Sequence, residues 1–223
     1  MRAILLAASE PLYSQYFVCV MTIYDPEIGS TRPMTVETRP RSRMPNSALL
    51  LMDVVNDFAF GDGPALFRNF RPQIKNLSRL KEKAQKLKVP VIYVNDNYGR
   101  WNEDFAGLVN LFRETSEQAA YVIDRLGPDP QDYYILKPHR SGFYETPLQV
   151  LLERLRVGHL IITGITTDLC VLFTANDAYM RGLRISVPGD CTTAVKKKAA
   201  SEALAFLKRT CDADTRPYLR IKF

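Results

Sequence analysis

Five short apolar runs, most of them separated by stretches with helical spacing, constrain this chain more than any other feature. Ala48-Leu49-Leu50-Leu51-Met52 is continuously apolar, as expected of a strand buried on both faces of a parallel sheet. Ile74, Leu77, Leu80, Ala84 and Leu87 then recur at helical intervals, which predicts an amphipathic helix over about 71–88. Val89–Val94 is the second strand, with Pro90 tolerable only near its start, and Tyr133–Leu136 the third. Thr146 as N-cap, Pro147 at the first helical position and Gln149 as the return member of a capping box open a helix whose buried stripe is Leu148, Leu151, Leu152 and Leu155. Leu160–Thr163 is the fourth strand, Cys170–Arg181 a helix, Leu183–Val187 the fifth strand and about 195–210 the last long helix. Strand, helix, strand in repetition predicts an α/β fold: a Rossmann-like open parallel sheet with helices on both faces.

Composition supports that reading and removes others. The 223 residues are 46% apolar and 24% charged, which excludes disorder for most of the chain and suits one large domain with an appendage. No window approaches the ~20 uninterrupted apolar residues of a membrane span, so no membrane partner is expected. Four cysteines (Cys19, Cys170, Cys191, Cys211) are too few for a disulfide-framed secreted module, so a reducing cytoplasmic setting is the default. The net charge of +6 is concentrated near the C-terminus, where Lys196–Lys198 opens an Ala-rich helical run. That is a solvated face, and no nucleic-acid partner is expected. Residues 1–46 lack a sustained period and carry Pro26, Pro33, Pro40 and Pro45 with Arg32, Arg39, Arg41 and Arg43. They read as a poorly ordered N-terminal extension, too short in its apolar start for a secretory signal and too acidic for a transit peptide. The domain proper is expected over 47–223.

In parallel sheets ligands bind beyond the carboxyl ends of the strands. Asp53 follows strand one, Lys137 strand three and Cys170 the turn after strand four. Taken singly, an Asp there is usually a cap, a Lys solvated and a Cys a small core residue. Together they are a candidate acid–base group, ammonium and nucleophile. Cys170 opens a helix after Gly164-Ile165-Thr166-Thr167-Asp168-Leu169, where the dipole favours a thiolate and backbone N–H groups are available to an oxyanion. Cys191, in the loop behind strand five, is the competing thiol.

Ala48–Phe58 (ALLLMDVVNDF), Lys137-Pro138 after a strand, and Gly164–Val171 (GITTDLCV) resemble the isochorismatase-like cysteine hydrolases in order and approximate spacing, over about Ser47 to the C-terminus. That family includes nicotinamidases, N-carbamoylsarcosine amidohydrolases and ureidoacrylate-type amidases. The resemblance implies a catalytic triad of Asp53, Lys137 and Cys170, and a non-proline cis peptide at Ile165–Thr166 that aims the Thr166 N–H, beside that of Cys170, at the substrate oxygen. It further implies amide or ureido C–N hydrolysis of a small molecule through a thioester on Cys170, and a homo-oligomer, dimer or tetramer. Nicotinamidases carry a metal site introduced by Asp-x-His after the second strand. Here the loop reads Asn95-Asp96-Asn97-Tyr98, and the chain has only His139 and His159, so neither metal nor other cofactor is expected. His159 reads as a surface residue in a turn. Phe58, Asn97, Trp101 and Phe143 are candidate substrate-binding residues, with Tyr144 beside them; Arg100 and Arg140 are candidate carboxylate receptors. Three alternatives stand beside this reading. One is an isochorismatase-type ether hydrolase, another a catalytically silent binding or regulatory homologue. The third, a dinucleotide-binding enzyme, fails because Asp53-Val54-Val55-Asn56-Asp57 stands where Gly-x-Gly-x-x-Gly belongs.

Overall fold

A computed structural model describes residues 20–25, 30–35 and 46–223, in two units divided between residues 41 and 42. In the first unit β1 (Val20–Asp25) pairs antiparallel with β2 (Ser30–Thr35), from Val20 opposite Thr35 to Asp25 opposite Ser30. This ribbon has no counterpart in the sequence pattern. A two-stranded ladder turns every second N–H outward, so Pro33 is compatible with it. The remainder of the expected extension lies outside the described residues.

The second unit is built on a six-stranded sheet. Its strands are β3 (Asn46–Met52), β4 (Val91–Asp96), β5 (Tyr133–Lys137), β6 (Val157–Ile165), β7 (Arg184–Ser186) and the two-residue β8 (Thr192–Thr193). The order is β5-β4-β3-β6-β7, every pairing is parallel, and β8 pairs with the far end of β6. Alternate side chains of β3 serve opposite cores. Leu49 and Leu51 join α1 (Gly63–Lys86), α2 (Phe105–Thr115) and α3 (Glu117–Leu126). Ala48, Leu50 and Met52 join α4 (Leu148–Arg154), α5 (Leu172–Met180) and α6 (Lys197–Thr210). Two buried faces are the reason this strand reads as an unbroken apolar run.

Several elements differ from the sequence reading. Leu66 and Phe70 extend the buried stripe of α1 a further two turns, and Pro72 sits within the helix. α2 and α3 lie in a stretch where the sequence reading has no element; they are capped by Asp104 accepting from the Gly107 N–H (2.7 Å) and by Ser116 accepting from the Ala119 N–H (3.2 Å). At α4 the Thr146 hydroxyl accepts the Leu148 N–H, but Gln149 donates to Glu153 instead of closing a capping box. His159 is a clear correction. β6 begins at Val157, so His159 lies inside the sheet, 7% exposed, with Nδ1 on the Ser47 hydroxyl (3.0 Å) and Nε2 on that of Ser186 (2.9 Å).

The strand sequence runs outward from β3 to β5 and then returns to the other side of β3 at β6. The carboxyl ends of β3 and β6 therefore form the topological switch point, the favoured ligand crevice of such sheets. Met52 stands opposite Gly164 there. Gly164 has φ +95°, and a Cβ on it would lie 2.2 Å from the Met52 carbonyl oxygen, so only glycine lets the two strand ends approach this closely.

Candidate active site

Asp53 leaves β3 with φ +49°, a left-handed conformation unusual for a non-glycine residue, while its N–H still donates to the Val94 carbonyl (3.0 Å). The following loop is pinned to β4 by buried Asn95, whose side chain accepts the Val55 N–H (3.1 Å) and donates to the Val55 carbonyl (3.0 Å). Asp53 Oδ1 accepts the Asp96 N–H (2.7 Å), and Oδ2 lies 3.0 Å from Lys137 Nζ. Lys137 ends β5 on the same face as buried Ile135, and its own carbonyl takes the Asn97 N–H (3.1 Å). Its ammonium is fully buried and donates to Cys170 Sγ (3.5 Å). Cys170 sits within a π-helical turn, Thr167–Val171, that opens the helix continued by α5; Thr166 caps the turn, and the peptide Ile165–Thr166 is cis. Thr167 and Thr192 join hydroxyls (2.9 Å), and Thr192 donates to the Gly164 carbonyl (2.8 Å), tying this turn to β8. Three strand ends thus place a carboxylate, an ammonium and a thiol in one cluster.

One cation serves two acids in this cluster, and the electrostatics follow from that. Burial pushes the Asp53 carboxyl above its usual range, against the pull of Lys137 and the donors around it. Burial also pushes the Cys170 thiol well up, and the Asp53 charge adds to this more than Lys137 offsets it. For Lys137, burial opposes the charged form, but Asp53, Cys170 and Asp96 outweigh it and raise its pKa. The ammonium therefore stays charged between the two acids. The helix dipole, which favours a thiolate, is opposed at Cys170 by burial and by the Asp53 charge. Cys191 is buried with Asp190 at its sulfur (3.8 Å), and burial pushes its thiol up as well.

Residues 47–215 match the profile of the Isochorismatase domain. The chain belongs to the isochorismatase family. Similar curated proteins include the uncharacterized isochorismatase family protein YaaI of Bacillus subtilis, 39% identical over 170 residues that cover 76% of this chain and 92% of that one. Ureidoacrylate amidohydrolase RutB of an Enterobacter species is 27% identical over 200 residues, covering 78% and 85%. Enterobactin synthase component B of Escherichia coli is 29% identical over 143 residues, 62% of this chain but only 49% of that protein. Among solved structures, N-carbamoylsarcosine amidase of Thermoplasma acidophilum superposes with TM-score 0.61 at 25% identity, covering 80% of this chain and 99% of that one. The pyrazinamidase/nicotinamidase of Streptococcus mutans gives 0.60 at 26%, covering 76% and 99%. This isochorismatase-family chain is therefore similar to hydrolases, amidases among them.

The remaining sequence candidates are placed less uniformly. Phe58 packs edge-on against Phe67 in the core (5.3 Å between ring centroids), and buried Phe143 lies under the Arg181 guanidinium (4.5 Å). Asn97 is buried and spends its side-chain oxygen on the Gly99 N–H (3.0 Å). These three are held by structural partners. Trp101 is 78% exposed, so it joins no core among the described residues. Tyr144 is exposed with His139 edge-on to it (5.6 Å), and Arg140 lies over exposed Phe173 (5.6 Å). The loop after β4 does not fit a divalent cation: Asp96 gives Oδ1 to the Tyr98 N–H (2.7 Å) and faces Lys137 with Oδ2 (3.6 Å), and the Tyr98 hydroxyl donates to the Val55 carbonyl (3.0 Å). A cavity of about 410 Å³ lies at the opposite ends of β6 and β7, beside His159, Arg184 and Lys222, and no member of the Asp53 cluster lines it. Sequence reasoning missed Asn95 and Asp96, whose Asn-Asp-Asn setting reads as an ordinary turn. No helix among the described residues is long and apolar enough to cross a membrane.

Proposed function

We propose that this protein is a metal-independent cysteine hydrolase that cleaves the C–N bond of a small amide or ureido compound, with Cys170 as nucleophile, Asp53 as proton carrier and Lys137 as the fixed cation between them. The observation that carries the reading is the position of Lys137 Nζ, 3.0 Å from Asp53 and 3.5 Å from Cys170 at the switch point of the sheet. The Cys170 proton passes to Asp53 as sulfur bonds to the carbonyl carbon. The carbonyl oxygen takes up the negative charge facing the N–H groups of Thr166 and Cys170. Asp53 returns its proton to the departing nitrogen, the C–N bond breaks, and a thioester remains. Water then attacks the thioester, giving a proton to Asp53 and releasing the acid. The Asp53 proton finally restores the thiol. The amidase relatives named above support the bond type.

The test is a panel of primary amides and ureido compounds assayed for ammonia, with wild type and Cys170→Ala side by side. Turnover of at least one compound by wild type, and none by a folded Cys170→Ala protein, is expected. Undiminished ammonia release by the variant overturns the assignment. The match to the Isochorismatase domain favours ether cleavage as the second reading, and turnover of an ether substrate without ammonia release would select it.

A further inference from the structure

A third charged group stands against the cluster, and the reaction above gives it no task. Asp96 Oδ2 lies 3.6 Å from Lys137 Nζ, an ion-pair distance, while Oδ1 is held in its own turn by the Tyr98 N–H (2.7 Å). The Asp96 backbone N–H in turn fixes Asp53 Oδ1 (2.7 Å), so this residue is registered on the reacting groups at both of its ends. The side chain of Lys137 is 0% exposed and that of Asp53 8%, whereas that of Asp96 is 38% exposed. Among these charged groups, Asp96 is the one that meets the solvent side. Counting Asp53, Asp96 and Lys137 with a neutral thiol leaves one uncompensated negative charge. Moving the proton from Cys170 to Asp53 leaves the same total. The site is thus anionic in both proton states.

We infer that Asp96 is a specificity-determining residue: it selects substrates whose reacting carbonyl bears uncharged, N–H-donating neighbours and rejects those with an anionic group next to that carbonyl. The inference rests on Cys170 being the nucleophile. Carboxamide and urea groups meet the requirement, because they bring donors towards a carboxylate that has only one partner on its inner oxygen. A carboxylate adjacent to the scissile carbonyl would approach Asp96, whose 38% exposure leaves their repulsion open to screening by salt. Arg100 and Arg140 lie outside the cluster, the latter over the Phe173 ring, so a distal carboxylate on the substrate is compatible with this rule.

Alkylation of Cys170 by iodoacetamide and by iodoacetate reads the effect without a known substrate, since the two reagents differ by one charge at the reacting carbon. Their rate ratio cancels any change in the thiolate fraction. Peptide mapping by mass spectrometry separates Cys170 from Cys19, Cys191 and Cys211. With 2-mercaptoethanol as reference, wild type should disfavour iodoacetate by about tenfold more than the free thiol does. In Asp96→Asn the ratio should return to near that of the reference. In wild type alone, raising the salt concentration should narrow the ratio, which keeps the test decisive should the variant fold poorly. Labelling with the free-thiol ratio, or a ratio indifferent to both Asp96→Asn and salt, overturns this inference and leaves the hydrolase reading standing. A Cys170 that reacts with neither reagent overturns both.

Discussion

Acid should weaken this fold through His159, and the size of the effect follows from its surroundings. The imidazole bridges Ser47 of β3 and Ser186 of β7 across β6, and burial, with the Arg184 charge nearby and against the weaker pull of Asp214, lowers its pKa from 6.5 to about 4. Above pH 6.5 the ring is neutral in both folded and unfolded chains and contributes no pH dependence. As pH falls from 6.5 towards 4 the unfolded chain binds a proton that the native protein refuses, so stability drops through that window. A depression of this size corresponds to about 3 kcal/mol in full, most of it lost by pH 4.5. Urea unfolding midpoints of wild type and His159→Gln, measured from pH 7.5 to 4, test this, because titrations common to both proteins cancel in the difference. His159→Gln should be the less stable protein at pH 7.5, through lost packing and one altered hydrogen bond, and that deficit should close or reverse in acid. NMR supplies a direct check: the chain has only two histidines, so one substitution assigns both imidazoles. A deficit equal at pH 7.5 and 4.5, or a His159 resonance titrating above pH 6, would refute the reasoning.

Two further outcomes test the cluster and its frame. Because the Asp53 charge raises the Cys170 thiol, Asp53→Asn should alkylate faster with iodoacetamide at pH 7 than wild type while losing turnover; slower alkylation would contradict that electrostatic account. Asn95→Leu strands the Val55 N–H away from water, leaves the Val55 carbonyl only the Tyr98 hydroxyl, and should lower unfolding stability by about 1–3 kcal/mol, measured from the urea midpoint; a loss within error of zero would mean the loop after β3 is held some other way.

The strands of this sheet were legible because burial on both faces writes itself as apolar runs, and Asp53, Lys137 and Cys170 were legible because they punctuate the ends of those runs. Legibility failed where tertiary contacts decide the matter. His159 follows a glycine and precedes the apolar core of β6, a pattern that looks like a turn, and only the two serine hydroxyls on neighbouring strands make its burial affordable in energy. Phe58, Asn97 and Phe143 stand on loops above the correct sheet edge, but side-chain direction is set by Phe67, Gly99 and Arg181, which no local pattern connects to them. The stripes Phe105, Leu108, Phe112 and Ala119, Val122, Ile123, Leu126 do carry helical spacing behind Asp104 and Ser116 caps; these short helices were within reach of the sequence. Asp96 was not, since its role arises from a distance to Lys137 across the sheet.

The approach of Asp53 to Cys170 is a property of the sheet itself. Asp53 follows Met52, Met52 pairs with Gly164 near the end of β6, and Cys170 sits in the turn Thr167–Val171 just beyond that strand, so the approach of the two acids is inherited from how closely β3 and β6 approach. Burial at this contact raises both acids beside Lys137. A looser strand pairing would hydrate the cluster and move Asp53 away from Cys170. Close packing of β3 against β6 therefore sets both the spacing and the burial of the two acids. Adaptation to different substrates must then fall on residues outside the strand pairing, and Asp96, on the next strand and partly open to solvent, stands where a change can alter selectivity without loosening the contact between β3 and β6.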